Sequence, residues 1–332
     1  MKLVLFSTQQ YDRDFFSHHN TAGAFQLEFF EEALTRKSAN LAQGADAVCV
    51  FVNDKVDATV MEKLAHMGIR VLALRCAGFN NVDLEAAKKF GIRVCRVPAY
   101  SPRAVAEHAV AMILTLNRKT HKAYNRVREQ NFSLNGLLGF DLHGKTVGVI
   151  GTGNIGKAFC NIMKGFGCRV IASDLNKDAE LIAEGITYME IPALLQEADI
   201  ISLHCPLNNQ TKYLINADTI GQMKKGVMLI NTSRGGLINT NSVIDALKSK
   251  HIAYLGIDVY EQEEQLFFRD LSANIIEDDT IQRLTSFPNV LVTAHQAFFT
   301  REALEQITTT TMDSVTQLLQ SGTTSNTAVL LA

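Results

Sequence analysis

The chain has 332 residues, a length that favours two domains over one. Its 32 Lys and Arg residues nearly balance 34 Asp and Glu residues, and the formal net charge of -2 comes without any basic block. This balance argues against a nucleic-acid or membrane-surface partner held by a polybasic face. Hydrophobic residues at 47% and charged residues at 20% exclude a disordered or collagen-like chain.

The six cysteines form no C-x-x-C pair and have no His-rich neighbourhood, so we expect reduced thiols and no metal site. The N-terminal apolar run is too short for the hydrophobic region of a signal peptide. No apolar stretch approaches the roughly 18 residues that a membrane span needs. These features predict a cytoplasmic protein.

Four short apolar runs open the chain, at 2–7, 46–52, 70–76 and 91–98. Segments of helical period lie between them. Alternating strands and helices at this pitch predict βαβ units around a parallel sheet.

A long helix is predicted next. Ser101 suits the N-cap and Pro102 the first helical position, and 104–128 contains neither Gly nor Pro. A helix of this length would cross from one lobe to the other or form a subunit contact. The apolar run AVAMILTL inside it favours a dimer contact.

A second series of strands follows, mostly separated by helical segments, and predicts a second, complete doubly wound unit. Its six predicted strands are 145–151, 168–174, 199–206, 226–233, 252–259 and 289–295. A last amphipathic helix from Thr300 to about Ser321 has no strand after it, so we expect the chain to return to the first lobe.

The sequence GTGNIG at 151–156 directly follows a predicted strand and opens a helix. Gly151 would permit the tight turn, Gly153 would let backbone approach a pyrophosphate, and Gly156 would allow close packing of the helix on the strand. Asp174 ends the next strand at the spacing of a carboxylate that binds the adenosine ribose, which favours NAD over NADP.

The fold class expected from these elements is α/β, with two doubly wound parallel-sheet domains. A discontinuous, flavodoxin-like catalytic domain comprises 1–99 plus 299–332, and a Rossmann NAD-binding domain comprises 100–298.

Three further segments each end a strand of the second series and contribute a guanidinium, a carboxylate and an imidazole: Arg234 in NTSRGG, Glu263 in DVYEQE and His295 in TAHQAF. Reduction of a 2-oxo acid needs a bidentate cation, a proton donor and a carboxylate that orients the donor. For each residue taken alone a purely structural role stays open: a surface ion pair for Arg234, a hydrogen-bonded polar residue for His295 and a solvated charge for Glu263. Glu261 and Glu264 are alternatives to Glu263 as the orienting carboxylate.

These motifs, together with RCAGFNNVD at 75–83 and VPAYSP at 97–102, resemble the D-isomer-specific 2-hydroxyacid dehydrogenases, and the D-lactate branch in particular. The resemblance implies catalytic roles for Arg234, Glu263 and His295. Besides the three glycines, the residues that it implies for NAD binding are Asn154, Ile155, Asp174, Cys205, Pro206, Thr211, Thr232, Ser233, Arg234 and Asp258.

The resemblance also implies that backbone amides near Ala77 and Gly78 grip the substrate carboxylate, with Tyr100 nearby and with Arg234 and His295 at the reacting carbonyl. Aromatic residues at Phe51, Phe298 and Phe299, with Tyr100, could line a small apolar substrate pocket, or could be ordinary core.

The activity implied by the resemblance is NAD-dependent, reversible reduction of pyruvate to D-lactate. Two alternatives stay open, a 2-hydroxyacid dehydrogenase for bulkier 2-oxo acids and a NAD-sensing protein like the C-terminal-binding corepressors. Family members are dimers or higher, so we expect a homodimer or homotetramer with a small-molecule substrate.

Overall fold

The computed structural model describes residues 1–21, 23–324 and 329–332. The chain divides into two compact units: unit 1 comprises Met1–Ser101 with Phe299–Ala332, and unit 2 comprises Pro102–Phe298. Each unit is built on its own parallel sheet.

The sheet of unit 1 has five parallel strands in the order β2-β1-β3-β4-β5, which is the flavodoxin-like order. The strands are β1 (Lys2–Leu5), β2 (Gln26–Phe29), β3 (Ala47–Val50), β4 (Val71–Leu74) and β5 (Arg93–Arg96). Strands β3 and β4 are buried along their whole length because helices cover both faces. The edge strand β2 was not predicted, since QLEF is a half-exposed segment without an apolar run.

The described part of unit 1 has four α-helices, and three of them begin at a capping side chain. They are α1 (Gln10–His19), α2 (Ala58–His66), α3 (Leu84–Phe90) and a C-terminal helix (Arg301–Gln320), with a 3-10 turn at Ser38–Ala42. Asp57, Asp83 and Thr300 each accept a hydrogen bond from a first-turn amide. The C-terminal helix packs Val315 and Leu318 into the core of unit 1, so the chain does return to this unit.

Residues 329–332 cover the outer edge of β5. The amide of Val94 donates to the carbonyl of Ala332 at 2.9 Å, and that of Leu331 donates to the carbonyl of Val94 at 2.8 Å. The edge strand therefore has backbone partners on both sides.

The sheet of unit 2 has seven parallel strands in the order β12-β11-β10-β9-β6-β7-β8. They are β6 (Thr146–Ile150), β7 (Arg169–Ser173), β8 (Thr187–Tyr188), β9 (Ile200–Leu203), β10 (Val227–Asn231), β11 (Ile252–Ile257) and β12 (Val290–Val292). Counted from β6, six of them follow the Rossmann order 3-2-1-4-5-6, and β12 adds a seventh beyond β11. The two-residue β8 was not predicted.

Eight helices of unit 2 lie between or beside these strands within the described part of the chain. They are α4 (Pro102–Arg118), α5 (Thr120–Arg128), α6 (Asn154–Gly165), α7 (Ala179–Ala183), α8 (Ile191–Glu197), α9 (Ala217–Gln222), α10 (Thr240–Lys248) and α11 (Asp279–Ser286). The prediction of two doubly wound domains, one flavodoxin-like and one of Rossmann type, is confirmed.

The prediction of one helix over 104–128 is wrong, because Lys119 adopts a left-handed backbone with φ of 51° between α4 and α5. Asn117 explains the break: its side-chain amide donates to the Phe140 carbonyl at 2.7 Å and its oxygen accepts from the Phe140 amide at 2.8 Å. The backbone at Phe140 is therefore bound to the last turn of α4, and α5 lies outside the core with no buried residue.

Most of the apolar run of α4 is buried within unit 2, although Ala111 is exposed. Ala109, Met112 and Ile113 are buried in the core of unit 2, where α4 packs on α6, β10 and β11. Because most of the run is covered within the unit, little of it remains for a dimer contact, and the expected contact through this helix stays a prediction.

Candidate active site

The fingerprint loop at the end of β6 needs glycine for two different reasons. Gly151 has φ of 95°, and a Cβ there would lie 2.5 Å from the Cys205 amide nitrogen. At Gly156 a Cβ would lie 1.9 Å from the Gly151 carbonyl oxygen, so this glycine lets α6 pack against the strand end. Both requirements come from the protein itself.

Gly153 has no such internal requirement. Its φ is −61°, and a Cβ built on it would meet nothing within 4 Å among the described residues. Gly153 is also the N-cap of α6 and offers no side-chain acceptor to the first-turn amides. An open, uncapped helix N-terminus fits a pyrophosphate, because the free amides and the helix dipole both favour an anion.

Asp174 follows β7 and is tied to the same loop. Its Oδ2 accepts from the Thr152 amide at 2.5 Å and its Oδ1 from the Asn176 amide at 2.8 Å. Tyr188 steadies this corner by donating its hydroxyl to Thr152 Oγ1 at 2.8 Å. The half-buried carboxylate is therefore fixed next to the fingerprint loop, where it could accept bonds from ribose hydroxyls.

The loops after β9 and β10 are joined. The hydroxyl of Ser233 donates to the Cys205 carbonyl at 2.8 Å, while that of Thr211 donates to the Pro206 carbonyl at 2.6 Å. Thr232 differs from them, because its Oγ1 is buried without a hydrogen-bond partner in the described part of the chain. A buried polar atom that lacks a partner fits a site that a ligand completes.

Arg234 stands on a turn that Asn231 shapes. The Asn231 side chain donates to the Arg234 carbonyl at 2.9 Å and accepts from the Ser233 amide at 3.0 Å. The Arg234 guanidinium donates to the Ser233 carbonyl at 2.7 Å, and none of the described carboxylates forms an ion pair with it. Its charge is thus available to an anion from outside.

His295 and Glu263 meet at the carboxyl ends of β12 and β11. Nδ1 of His295 lies 2.8 Å from Oε1 of Glu263, and the other carboxylate oxygen accepts from the Tyr260 amide at 2.9 Å. The side chains are 18% and 19% exposed. Because the carboxylate is the acceptor, Nδ1 carries the proton and Nε2 faces away from the pair, with no partner among the described residues.

The competing glutamates are placed elsewhere. Glu261 accepts from the amide of Thr240 at 3.0 Å and from its hydroxyl, which ties it to the start of α10. Glu264 is exposed. Of the three acidic side chains, the structure brings Glu263 to the imidazole.

Asp258, predicted to contact NAD, is fully buried. Burial acts to raise the pKa of its carboxyl, but the adjacent His108 imidazole and the hydrogen bonds from Thr293 and the Ala297 amide outweigh this effect and leave that pKa below its usual value. The contacts of His108 and Thr293 had no signal in the local sequence.

In unit 1, the loop after β4 holds the residues predicted to grip a carboxylate. Arg96 donates to the Ala77 carbonyl at 2.8 Å, and the Cys76 thiol donates to the Gly78 carbonyl at 3.2 Å. These bonds use the carbonyls of the loop. The amides of Ala77 and Gly78 have no acceptor among the described residues of the unit.

The aromatic residues predicted for a substrate pocket differ in exposure. Phe51 is buried against the Arg75 guanidinium, 4.8 Å from its ring centroid, and Phe298 is also buried. Tyr100 is half-buried, and Phe299 is 50% exposed with Tyr11 against its ring.

Across the described residues, no group of three or more His, Cys, Asp or Glu side chains could hold a metal ion. None of the described helices is long and apolar enough to cross a membrane. All six cysteines are free and buried.

A Rossmann sheet with an open fingerprint loop and an imidazole–carboxylate pair defines a class, the dinucleotide-dependent oxidoreductases. Residues 110–297 match the model of the D-isomer specific 2-hydroxyacid dehydrogenase NAD-binding domain. The chain belongs to this family, and the predicted family and NAD cofactor are confirmed.

Similar proteins span the whole chain. D-lactate dehydrogenase of Escherichia coli is 51% identical over 98% of this chain and 99% of its own. The apo structure of that enzyme has a TM-score of 0.90 at 49% identity, covering 98% of both chains. The NAD⁺ complex of D-lactate dehydrogenase from Lactobacillus jensenii has a TM-score of 0.83 at 32% identity over all of both chains.

Proposed function

We propose that this protein is an NAD-dependent D-lactate dehydrogenase that reversibly reduces pyruvate: pyruvate + NADH + H⁺ ⇌ D-lactate + NAD⁺. The observation that carries the proposal is the His295–Glu263 pair, with 2.8 Å between nitrogen and oxygen, on a strand end of an NAD-binding unit. The whole-length similarity to D-lactate dehydrogenases supports the choice of substrate.

The NAD-binding residues would be those around the fingerprint loop. Gly153 and the first-turn amides of α6 would receive the pyrophosphate, and Asp174 the ribose hydroxyls. Thr232 would find a partner for its buried hydroxyl in the bound dinucleotide. When bound, the reduced nicotinamide supplies the hydride that the carbonyl carbon of pyruvate accepts.

Arg234 and His295 would act on the 2-oxo acid itself. The guanidinium, which has no carboxylate partner among the described residues, would bind the substrate carboxylate and polarise its carbonyl. His295 would donate the proton on Nε2 to the oxygen that becomes the hydroxyl, while Glu263 holds the ring and stabilises its charged form. We also propose that the amides of Ala77 and Gly78 bind the substrate carboxylate.

The direct test follows NADH absorbance in the presence of pyruvate, 2-oxobutyrate, 2-oxoisocaproate or phenylpyruvate. We expect the highest kcat/KM for pyruvate and a product that only a D-specific lactate assay detects. Higher kcat/KM for the bulkier acids would assign the protein to another substrate class. Tight NADH binding without turnover of any acid would favour the corepressor-like alternative.

Glu263→Gln and Glu261→Gln form a matched pair that tests the assignment of roles. The first removes the charge next to His295, and the second removes it next to Thr240. We expect kcat for pyruvate reduction to fall about tenfold or more for Glu263→Gln and to stay within about twofold for Glu261→Gln. Equal losses would contradict the assignment.

We propose further that the protein is a homodimer or homotetramer, with a contact around α5. Large apolar side chains are exposed in the segment that follows α5, notably Phe132 at 73%, Leu134 at 81% and Leu138 at 88%. Several exposed apolar side chains in one short segment are typical of an interface, and a second copy would cover them. Light scattering should show an oligomer for the wild type and a monomer when the three residues are replaced by serine.

The cytoplasm is the proposed location, because six free and buried thiols suit a reducing compartment. Fractionation of the source cells with an antibody against the protein tests this. Recovery outside the cytoplasmic fraction would contradict it.

A further inference from the structure

His295 has an unusual backbone for a histidine between a strand and a loop. Its φ is 52°, in the left-handed region, which is costly for a residue with a Cβ. Such a conformation persists when surrounding contacts fix it, and these contacts determine where the ring points. The question is which groups provide them.

Asp258 provides the direct contacts. Its carbonyl accepts from the His295 amide at 2.7 Å. Its carboxylate accepts from the Gln296 amide at 2.9 Å and from the Ala297 amide at 3.0 Å. One buried residue therefore holds three consecutive amides of the loop, beginning with that of the candidate proton donor.

Thr293 and His108 complete the surroundings of this carboxylate. The Thr293 hydroxyl donates to Asp258 Oδ1 at 2.5 Å. Nε2 of His108 lies 3.1 Å from Thr293 Oγ1 and 3.5 Å from Asp258 Oδ1. Because the threonine proton is already directed to Asp258, Nε2 of His108 must be the donor toward Thr293.

His108 belongs to α4, which is a core helix of the same unit. Its neighbours on the helix, Ala109 and Met112, are buried, and α4 packs on α6, β10 and β11. A side chain on such a helix is a rigid support. The hydrogen-bond chain from His108 through Thr293 to Asp258 thus connects the loop of His295 to a buried helix of unit 2.

We propose that His108 is a positioning residue for His295, acting through Thr293 and Asp258. The proposal rests on the proposed function for its effect on catalysis, but its effect on the loop is independent of substrate. His108 itself touches neither His295 nor Glu263 in the described structure, so it aligns the proton donor without taking part in proton transfer.

The experiment compares His108→Leu, His108→Gln and Val110→Ala in the full-length protein. The leucine removes the donor, the glutamine retains an N–H group, and Val110→Ala is a control that loosens the same helix without touching the chain of hydrogen bonds. Three quantities are measured for each variant: steady-state kinetics, the Kd for NADH, and amide hydrogen exchange of the peptide that covers 293–298.

We expect His108→Leu to lower kcat for pyruvate reduction about tenfold or more, since small misplacements of a reacting group are costly, while the Kd for NADH changes less than about twofold. Exchange in 293–298 should become faster. His108→Gln should restore most of the kcat and return the exchange of 293–298 toward the wild-type rate. Val110→Ala should change neither kcat nor this exchange, although its Tm should fall by a similar amount.

Thr293→Val tests the path. If His108 acts through Thr293, the double variant with His108→Leu should be no slower than Thr293→Val alone. Unchanged exchange of 293–298 in His108→Leu, or additive losses in the double variant, would overturn the proposal. If the wild type reduces no 2-oxo acid, the proposed function fails, whereas the exchange experiment still tests the role of His108.

Discussion

The carboxyl ends of the strands in the two units carry buried or half-buried arginines with opposite surroundings. In unit 1, Arg75 is 1% exposed, and its guanidinium donates to Asp12 at 3.0 Å and to the carbonyls of Phe6 and Ser7 at 2.9 and 2.6 Å. The aromatic ring of Phe51 packs against the guanidinium plane. Every side of this cation is occupied by the protein.

In unit 2, the corresponding region is left incomplete. Arg234 has no carboxylate partner, Nε2 of His295 has no acceptor, and Thr232 Oγ1 is buried without a bond, all within the described residues. A closed network is costly to break, because removing one partner leaves a buried charge unpaired, whereas polar groups that the fold leaves without partners are suited to bind a ligand. Comparison of Arg75 with Arg234 therefore shows that burial alone does not identify a functional cation.

The largest effect should follow removal of the proton donor. His295→Asn keeps a hydrogen-bond donor for Glu263 but cannot transfer a proton, so kcat for pyruvate reduction should fall by about 10²- to 10⁴-fold. Urea unfolding should change little, because the pair with Glu263 is partly exposed. A variant that loses stability but retains kcat would show that His295 has a structural role, like that of Arg75, and not a catalytic one.

Arg75→Met should give the reverse result. Without the guanidinium, the buried carboxylate of Asp12 loses its partner, and the free energy of unfolding should fall by roughly 3–5 kcal/mol. Urea denaturation measures this. Arg75→Met combined with Asp12→Asn should regain part of the loss, and a single variant as stable as the wild type would show that the network is not stabilising.

Two alanine substitutions compare Gly156, which the packing of the protein requires, with Gly153, which we expect only the bound cofactor to require. Gly156→Ala places a Cβ 1.9 Å from the Gly151 carbonyl, so Tm should fall. Gly153→Ala meets open space, so Tm should hold while NADH binding weakens about tenfold, or roughly 1.4 kcal/mol. Differential scanning fluorimetry and NADH titration distinguish the two, and unchanged NADH affinity in Gly153→Ala would contradict the predicted pyrophosphate site.

At neutral pH the smallest effect is that of His204, whose titration lowers stability only in acid. Burial between β9 and α6 lowers the pKa of His204 from 6.5 to about 3. Below the unfolded value, the unfolded chain binds a proton that the folded chain does not, so unfolding free energy falls as pH drops from 6.5 toward 3, by at most about 1.4 kcal/mol per unit. His204→Gln should flatten this slope in urea unfolding, and identical slopes would show that His204 does not contribute.

The sequence predicted the central strands of both sheets, because runs such as AVCV and TVGVI have no exposed position to interrupt them. It did not predict the left-handed Lys119 between α4 and α5, since no Gly or Pro marks that break. Residues of the candidate site that lie in motifs were found in the sequence, including Glu263 beside His295. His108 was not, because its partner Thr293 lies 185 positions away and no local pattern reports such a contact.

The short segment 329–332 along β5 has a consequence for handling the protein. An uncovered parallel strand presents free backbone groups to other chains and invites edge-to-edge association. Here the bonds between Val94 and residues Leu331 and Ala332 occupy those groups. Removing residues 329–332 would therefore expose a template for aggregation.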